Sequence, residues 1–266
     1  MFDSGEKTDL RVPGLRGHVR VLWRSEAALA VDKPAGLAVV PGRGQETCLI
    51  DLLRAAWPER DLRLVHRLDQ DTSGVMLLAL DLAAQRHLTA QFGTGAVRKT
   101  YLALVRGRPP EPQGEIKLPI GPDRLHPELM SLDTEHPKEA ITRWELVEQL
   151  GDFALLRCFP LTGRTHQIRV HLRAAALPLV VDPLYGDGGG LLLSRLKADY
   201  RPSRRHDERP LIGRLSLHAA AVEFVDPAGD SPARVEAALP KDFRAALNQL
   251  RKLFGVPAAL ASPDDL

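Results

Sequence analysis

The sequence predicts an α+β fold: a mixed, mainly antiparallel sheet core with flanking helices. Many strand-like segments follow one another with few helical segments between them, and strands and helices do not alternate regularly. The 266 residues are 44% hydrophobic and 26% charged, an ordinary globular mixture that excludes disorder as the dominant state. We therefore expect one folded domain over residues 19–254, with a flexible leader (1–18) and a C-terminal tail (255–266).

Local patterns assign the elements in chain order. A continuous apolar run over 74–80 predicts a buried strand, and Asp81 is a good N-cap for the helix that follows it. Gly151-Asp152 joins two strand-like segments and predicts a hairpin, whereas the many Pro and Gly residues of 107–137 predict connections around short strands. The other predicted strands are 19–23, 28–31, 99–105, 143–150, 153–159, 215–225 and 234–238, and the other predicted helices are 49–56, 165–177 and 242–254.

Composition and motifs exclude several classes of protein. No apolar run approaches the ~20 residues that a membrane span needs. Cys48 and Cys158 are too few and too far apart for a disulfide framework or a zinc site. The glycine-rich signatures of ATP and dinucleotide sites are missing. We therefore expect a soluble cytoplasmic protein with no metal and no cofactor.

Positive charge is concentrated in one segment. The formal net charge is only +2, but residues 194–214 contain seven Lys or Arg and three Asp or Glu. Most of this segment lies in a predicted mobile basic insertion over 186–212. Such a stretch is typical either of an anion-binding surface or of a solvated loop, and composition does not separate the two.

Two segments concentrate residues that can do chemistry. Residues 63–74 place two carboxylates, basic side chains and hydroxyls directly before the predicted buried strand. Functional residues are common on such loops, although a hydrogen-bonded turn has the same composition. Residues 161–171 combine a glycine turn with a helix start and basic side chains. The first segment supplies an Asp and the second an Arg, so the two are complementary in charge.

These segments resemble signatures of the RluA-type pseudouridine synthases. His66-Arg67-Leu68-Asp69, followed by Thr72-Ser73-Gly74 and an apolar strand, is similar to the signature of that family. The sequence departs from the family pattern over 177–186, where the usual Gly-His-Pro opening is replaced by Ala-Leu-Pro and Val181 stands where a Gly precedes the Asp. We expect no S4-like RNA-binding domain, because 1–18 is too short for one. Four further segments agree in order, at 31–37, 98–107, 161–172 and 217–219.

The resemblance implies an enzyme that isomerises uridine to pseudouridine in structured RNA, either rRNA or tRNA, without a cofactor. Asp69 matches the essential Asp, Tyr101 the Tyr that stacks on the uracil and assists C5 proton removal, and Arg169 the Arg that pairs with the Asp. Arg67 matches the residue that holds the target nucleotide out of the stack. We expect a monomer, with further RNA contacts from His66, Arg164, His166 and Arg173.

Two alternatives stay open at this point. The same fold can serve as a catalytically idle RNA-binding or ribosome-assembly module. A glycoside or nucleoside hydrolase would instead need a second carboxylate near Asp69, and Asp71 is available in the sequence.

Overall fold

A large sheet dominates the computed structural model, which describes residues 9–12, 18–42, 47–197, 199–201 and 207–255. The strands are β1 (Asp9–Arg11), β2 (His18–Arg24), β3 (Ala28–Lys33), β4 (Arg63–Leu64), β5 (Ser73–Ala79), β6 (Arg98–Arg106), β7 (Gln113–Lys117), β8 (Gly121–Pro122), β9 (Met130–Ser131), β10 (Ile141–Leu150), β11 (Phe153–Pro160), β12 (Leu217–Val225) and β13 (Pro232–Glu236). The helices are α1 (Leu49–Ala56), α2 (Leu82–Thr94), α3 (Gln167–Ala174) and α4 (Lys241–Phe254), with a 3-10 turn at Leu193–Arg195.

The sheet is mixed and mainly antiparallel, as the sequence predicts. Its strand order is β1-β2-β3-β5-β12-β6-β11-β10-β7, with β13 beside β12 and β4 beside β5. Within the described residues every neighbouring pair is antiparallel except β5 and β12, which are parallel. β8 and β9 form a separate two-stranded sheet. The predicted α+β class is confirmed.

Alternation along the strands directs side chains to helices on both faces of the sheet. On β6, Leu102 and Leu104 pack with α4, whereas Ala103 and Val105 pack with α3. β5 is buried along its whole length and divides its side chains between α1 and α2. Tyr101 contacts both the α1 cluster and the α3 cluster. Helices α1 and α3 therefore share one face of the sheet, and Tyr101 lies between them.

Gly74 is required where β5 meets its parallel neighbour. It pairs with Ala219 of β12, and its φ of +113° lies in the region that favours glycine. A Cβ at this position would lie 2.1 Å from the Ala219 carbonyl oxygen. Glycine thus permits the close approach that joins the two halves of the sheet, five residues after Asp69.

We expect Gly74→Ala to destabilise the fold by about 2–4 kcal/mol, because it adds both a steric clash and backbone strain. Urea unfolding measures this directly. Gly163→Ala is the matched control: its Cβ meets no atom within 4 Å, and its φ is not positive. Equal unfolding midpoints for the two variants would contradict the role assigned to Gly74.

A chain of polar contacts beside Gly74 contains the buried His218. Arg214 Nη1 donates to Ser73 Oγ at 3.1 Å, and Ser73 Oγ lies 2.9 Å from His218 Nδ1. His218 Nε2 donates to the Ala237 carbonyl at 3.1 Å. Burial lowers the pKa of His218 from 6.5 to about 4, and although the Ala237 carbonyl acts against this, the ring stays uncharged at neutral pH.

This depressed pKa makes stability depend on pH in a defined direction. Below pH 6.5 the unfolded chain binds a proton at His218 that the folded protein does not bind until about pH 4. Stability therefore falls as the pH falls through this window. Between about pH 7 and pH 5 we expect His218 to account for about 2 kcal/mol of lost stability.

Urea unfolding of wild type and His218→Gln at both pH values isolates this contribution. The variant should lose less stability on acidification than wild type does. His126→Gln, at an exposed position, is the control for replacing a histidine by glutamine. Parallel pH dependence of wild type and His218→Gln would refute the assignment.

The structure corrects the predicted leader and the predicted α3. Asp9–Arg11 forms β1 and pairs with β2, so the expectation of a flexible segment over 1–18 is wrong there. A three-residue strand is too short to show a periodic pattern. Helix α3 is shorter than the predicted 165–177, because His166 and Ala176 take left-handed conformations at its ends. Ala175, the residue that follows α3, is exposed.

The predicted mobile insertion over 186–212 is packed at both ends. Leu191 and Ile212 form an antiparallel bridge and are buried in the cluster that contains α4. Leu191 and Ile212 thus hold the insertion against the core. Composition alone did not predict this packing. Arg195 Nη1 also donates to Asp187 Oδ2 at 2.9 Å. Residues 198 and 202–206, which include two of the arginines, lie outside the described residues, as do 1–8, 13–17 and 256–266 of the predicted leader and tail.

No helix among the described residues combines the length and the apolar character that a membrane-spanning helix needs.

Candidate active site

Three predicted residues meet on the face of the sheet that α1 and α3 cover. Asp69 lies on the loop between β4 and β5, Tyr101 on β6 and Arg169 on α3. Arg169 Nη1 donates to Asp69 Oδ2 at 3.3 Å, across 100 positions of sequence. The negative charge of Asp69 also acts on the Tyr101 hydroxyl. The fold thus brings together the Asp, Tyr and Arg that the sequence singled out.

Arg169 pairs most closely with a residue that was not among the predicted site residues, Asp182. Arg169 Nη2 and Nε donate to Asp182 Oδ1 and Oδ2 at 2.6 and 3.0 Å, a two-pronged pairing that suits the planar guanidinium. Both side chains are buried, with 3% and 4% of their surface exposed. Asp182 therefore fixes the guanidinium, and the remaining Nη1 reaches Asp69.

The two carboxylates around Arg169 differ in access to solvent. Asp69 exposes 23% of its side chain, whereas Asp182 is almost completely enclosed. Both carboxylates form an ion pair with Arg169. Asp69 is therefore the carboxylate that a substrate can reach, and Asp182 holds the cation that faces it.

Asp182 also starts the turn that carries Tyr185. Its Oδ1 accepts backbone hydrogen bonds from Leu184 N at 3.0 Å and Tyr185 N at 3.1 Å. The turn places the Tyr185 ring over Arg169, with 5.0 Å between the guanidinium carbon and the ring centre. The segment that departs from the family pattern thus still supplies an acid and an aromatic to the site. The sequence signal available for Asp182 was a lone Asp at the start of a turn. That signal does not identify Arg169 as its partner.

Tyr101 is a poor proton acceptor in this environment. Burial raises the pKa of its hydroxyl well above the ordinary value, and the nearby Asp69 charge raises it further. The phenol therefore keeps its proton at neutral pH. A phenol that keeps its proton is better suited to stacking on a base than to removing a proton from it.

Lys33 attaches the Asp69 loop to the turn after β3. Its buried ammonium donates to the carbonyls of Pro34, Leu37 and Gln70 at 3.0, 2.9 and 2.8 Å. Burial lowers the pKa of Lys33 to about 7, and the charges of Asp71 and Asp69 act against that shift. Because Gln70 directly follows Asp69, these bonds restrict where the Asp69 backbone lies.

The ring of His66 is half-buried and engaged by its own fold, so the structure does not support the expected RNA contact of this residue. Its Nε2 accepts a hydrogen bond from Leu77 N at 2.9 Å, and its ring stacks on Phe92 with 4.6 Å between centres. Burial lowers the pKa of His66 to about 3, helped by the charge of Lys99. The neutral imidazole braces the Asp69 loop against β5 and carries no charge for a phosphate.

The other predicted RNA contacts fall into two groups. Arg67, Arg164 and Arg173 are exposed, and Arg164 Nε donates to the Glu139 carbonyl at 2.9 Å. His166 exposes only 14% of its side chain, and its Nε2 lies 4.0 Å from Asp69 Oδ1. The basic side chains of α3 are therefore divided, since Arg169 is buried and Arg173 faces solvent.

Comparison with known proteins agrees with this geometry. Residues 27–174 match the family described as RNA pseudouridylate synthase. The chain is 36% identical over 239 residues to ribosomal large subunit pseudouridine synthase C of Escherichia coli (strain K12), covering 87% of this chain and 70% of that protein. It is 37% identical to the protein of the same name from Haemophilus influenzae, covering 88% of this chain and 69% of that one.

Two solved human structures share the fold. RNA pseudouridylate synthase domain containing 4 has a TM-score of 0.67 at 26% identity and covers 87% of this chain and 92% of its own. RNA pseudouridylate synthase domain containing 1 has a TM-score of 0.66 at 28% identity and covers 93% and 98%. The family match, the identity to the bacterial proteins and the shared fold agree: this chain belongs to the RNA pseudouridylate synthase family and is an enzyme that isomerises uridine to pseudouridine in RNA.

Proposed function

We propose that this enzyme modifies one or more uridines of large-subunit ribosomal RNA, with Asp69 as its catalytic residue. The observation that carries the proposal is the solvent-accessible Asp69 carboxylate, which is paired with the buried Arg169 and lies beside Tyr101. The RNA class is inferred from the similar bacterial proteins, which are named for the large ribosomal subunit. We propose that the enzyme acts in the cytoplasm and that it needs no cofactor.

The reaction breaks the N1–C1′ glycosidic bond, turns the uracil and joins its C5 to C1′. Asp69 acts at the ribose, either by attacking C1′ or by taking the C2′ proton, and the departing uracil carries the electron pair of the broken bond. When C5 bonds to C1′, either the Asp69–C1′ bond breaks or C2′ regains its proton from Asp69, so the carboxylate is restored. The C5 proton is then lost and N1 gains one, so the product is an isomer of the substrate. Arg169 pairs with the Asp69 carboxylate through its Nη1, at 3.3 Å from Oδ2.

One carboxylate is sufficient for this reaction. Ordinary glycosidases use a second carboxylic acid to protonate the leaving group. Here the uracil stays in the site and tolerates negative charge itself. Two other acids have roles of their own: Asp182 is occupied by Arg169 and backbone amides, and Asp71 acts electrostatically on the buried Lys33. These roles favour isomerisation over hydrolysis.

Reaching a uridine in folded RNA requires flipping it out of the stack, at a cost of a few kcal/mol. We assign to the exposed Arg67, two residues before Asp69, the task of holding the nucleotide outside its stack. Arg164 and Arg173 supply phosphate contacts, which makes binding depend on salt. We propose that the enzyme acts as a monomer on this RNA.

Release of tritium from uridine C5 tests the proposal. Large-subunit rRNA and tRNA, each labelled at C5 and prepared from cells that lack the enzyme, are incubated separately with the protein. Release from the rRNA alone is the expected result, and release from the tRNA alone would overturn the RNA class. Free uracil among the products would identify a hydrolase. Salt-sensitive binding without release from either RNA would identify an idle RNA-binding module.

A further inference from the structure

His166 has a backbone conformation that few residues other than glycine adopt. It directly precedes α3, and its φ of 54° and ψ of 17° lie in the left-handed region. Histidine reaches this region more readily than most residues, but the conformation still costs free energy. Residues strained in this way persist where their surroundings hold them, and they concentrate at functional sites. The contacts of the His166 side chain therefore indicate what holds the residue in this conformation.

Tyr185 orients the imidazole of His166. The Tyr185 hydroxyl oxygen accepts a hydrogen bond from Met130 N at 2.8 Å and lies 2.6 Å from His166 Nδ1. Because the carboxylate oxygen of Asp69 that faces Nε2 can only accept, we assign the Nε2–H tautomer to the ring, and the Tyr185 hydroxyl then donates to Nδ1. Nδ1 is then an acceptor, and the neutral ring carries its hydrogen on Nε2.

The Nε2 of His166 faces the oxygen of Asp69 that Arg169 does not contact. Nε2 lies 4.0 Å from Asp69 Oδ1, whereas Arg169 donates to Oδ2. The separation exceeds a hydrogen bond, but catalytic contacts of this length commonly shorten when substrate binds. Since the His166 side chain is largely buried, little of it is available to an RNA phosphate.

We infer that His166 is a positioning residue for Asp69 and that Tyr185 acts through His166. With Arg169 on one carboxylate oxygen and the His166 Nε2–H on the other, Asp69 cannot rotate freely about its terminal bond. It then presents a single defined lone pair to the ribose. The inference rests on the proposed role of Asp69, and it replaces the expected phosphate contact of His166 with a contact inside the active site.

Two substitutions at His166 separate the side chain from the backbone. His166→Gly keeps the left-handed conformation without strain but removes the N–H donor, whereas His166→Asn tolerates that conformation and keeps a donor. In single-turnover assays with excess enzyme, His166→Gly should lower the rate about 10- to 100-fold. The protein concentration that gives half the maximal rate should stay within about twofold of wild type. His166→Asn should recover part of the rate.

A double-variant comparison tests whether Tyr185 acts through His166. Tyr185→Phe should lower the single-turnover rate about 10-fold in the wild-type background and leave the rate of His166→Gly unchanged. Ala176→Gly is the matched control, because Ala176 is the other left-handed residue that flanks α3, with a φ of 58°. That variant undergoes the same relief of strain and should keep the wild-type rate.

Several results would overturn the inference. A wild-type rate for His166→Gly refutes it, and so does a normal maximal rate reached only at higher protein concentration, which would make His166 an RNA contact. If the rate losses of Tyr185→Phe and His166→Gly multiply in the double variant, the role of Tyr185 is refuted. If His166→Gly does not fold, a normal rate for Tyr185→Phe is the refuting result. Inactivity of wild type on every RNA would instead refute the proposed function.

Discussion

Replacing Asp69 with Asn should lower the rate of pseudouridine formation by about 10³-fold or more. The amide has the shape of the carboxylate but carries no negative charge, so it neither attacks the ribose nor takes up its proton. Because the Asp69 side chain is partly exposed, the substitution should affect folding and RNA binding little. Tritium release from uridine C5 measures the rate, and filter binding measures retention of RNA.

Asp71→Asn is the matched comparison, two residues further along the same loop. If a single carboxylate does the chemistry, Asp71→Asn keeps most of the activity that Asp69→Asn loses. Equal loss in both variants, together with release of free uracil, would favour the paired carboxylates of a hydrolase. Full activity of Asp69→Asn would remove Asp69 from the mechanism.

Replacing Arg169 with Met should destabilise the protein by about 3–5 kcal/mol, because it leaves the Asp182 charge buried without its cation. The two side chains are almost completely enclosed, so solvent cannot compensate for the lost partner. Pseudouridine formation should fall as well, since Asp69 loses the same guanidinium. Urea unfolding measures the loss of stability, and tritium release measures the loss of activity.

Two further variants give this prediction its controls. Arg173→Met removes an exposed arginine one turn along α3 and should change stability by no more than about 0.5 kcal/mol. Arg169→Met combined with Asp182→Asn removes both charges of the buried pair, keeps an oxygen for the Leu184 and Tyr185 amides, and should regain much of the lost stability. It should not regain activity. If Arg169→Met and Arg173→Met proved equally stable, the ion pair with Asp182 would have no structural importance.

Local chemistry made much of the fold predictable. The apolar run over 74–80 becomes β5, and Asp81 caps α2 by accepting a hydrogen bond from Ala84 N at 2.7 Å. Gly151 turns the chain between β10 and β11 with a φ of +62°. Each of these features depends on a few consecutive residues. The sequence is therefore sufficient where a pattern and its cause lie within one turn or one strand.

Parts of the site had no local signal. Arg169 selects Asp182 as its main partner because a turn after α3 returns that carboxylate to the guanidinium. His66 is part of the family-like signature, yet its imidazole is used to bind Leu77 N of β5. His166 belongs to the predicted helix by sequence, but its left-handed backbone turns the ring toward Asp69. Residue type suggested that these side chains matter and did not say what they contact.

By itself, the sequence determined the fold class, most element positions and the presence of Asp69, Tyr101 and Arg169 in family-like segments. Only the tertiary structure decided which of the acids is reachable, which histidines remain neutral and which group orients Asp69. The physical reason is that charge state and access depend on burial and on partners far away in sequence. Asp69 and Arg169 lie 100 positions apart and meet only because the parallel β5–β12 pair, made possible by Gly74, brings their elements to the same face.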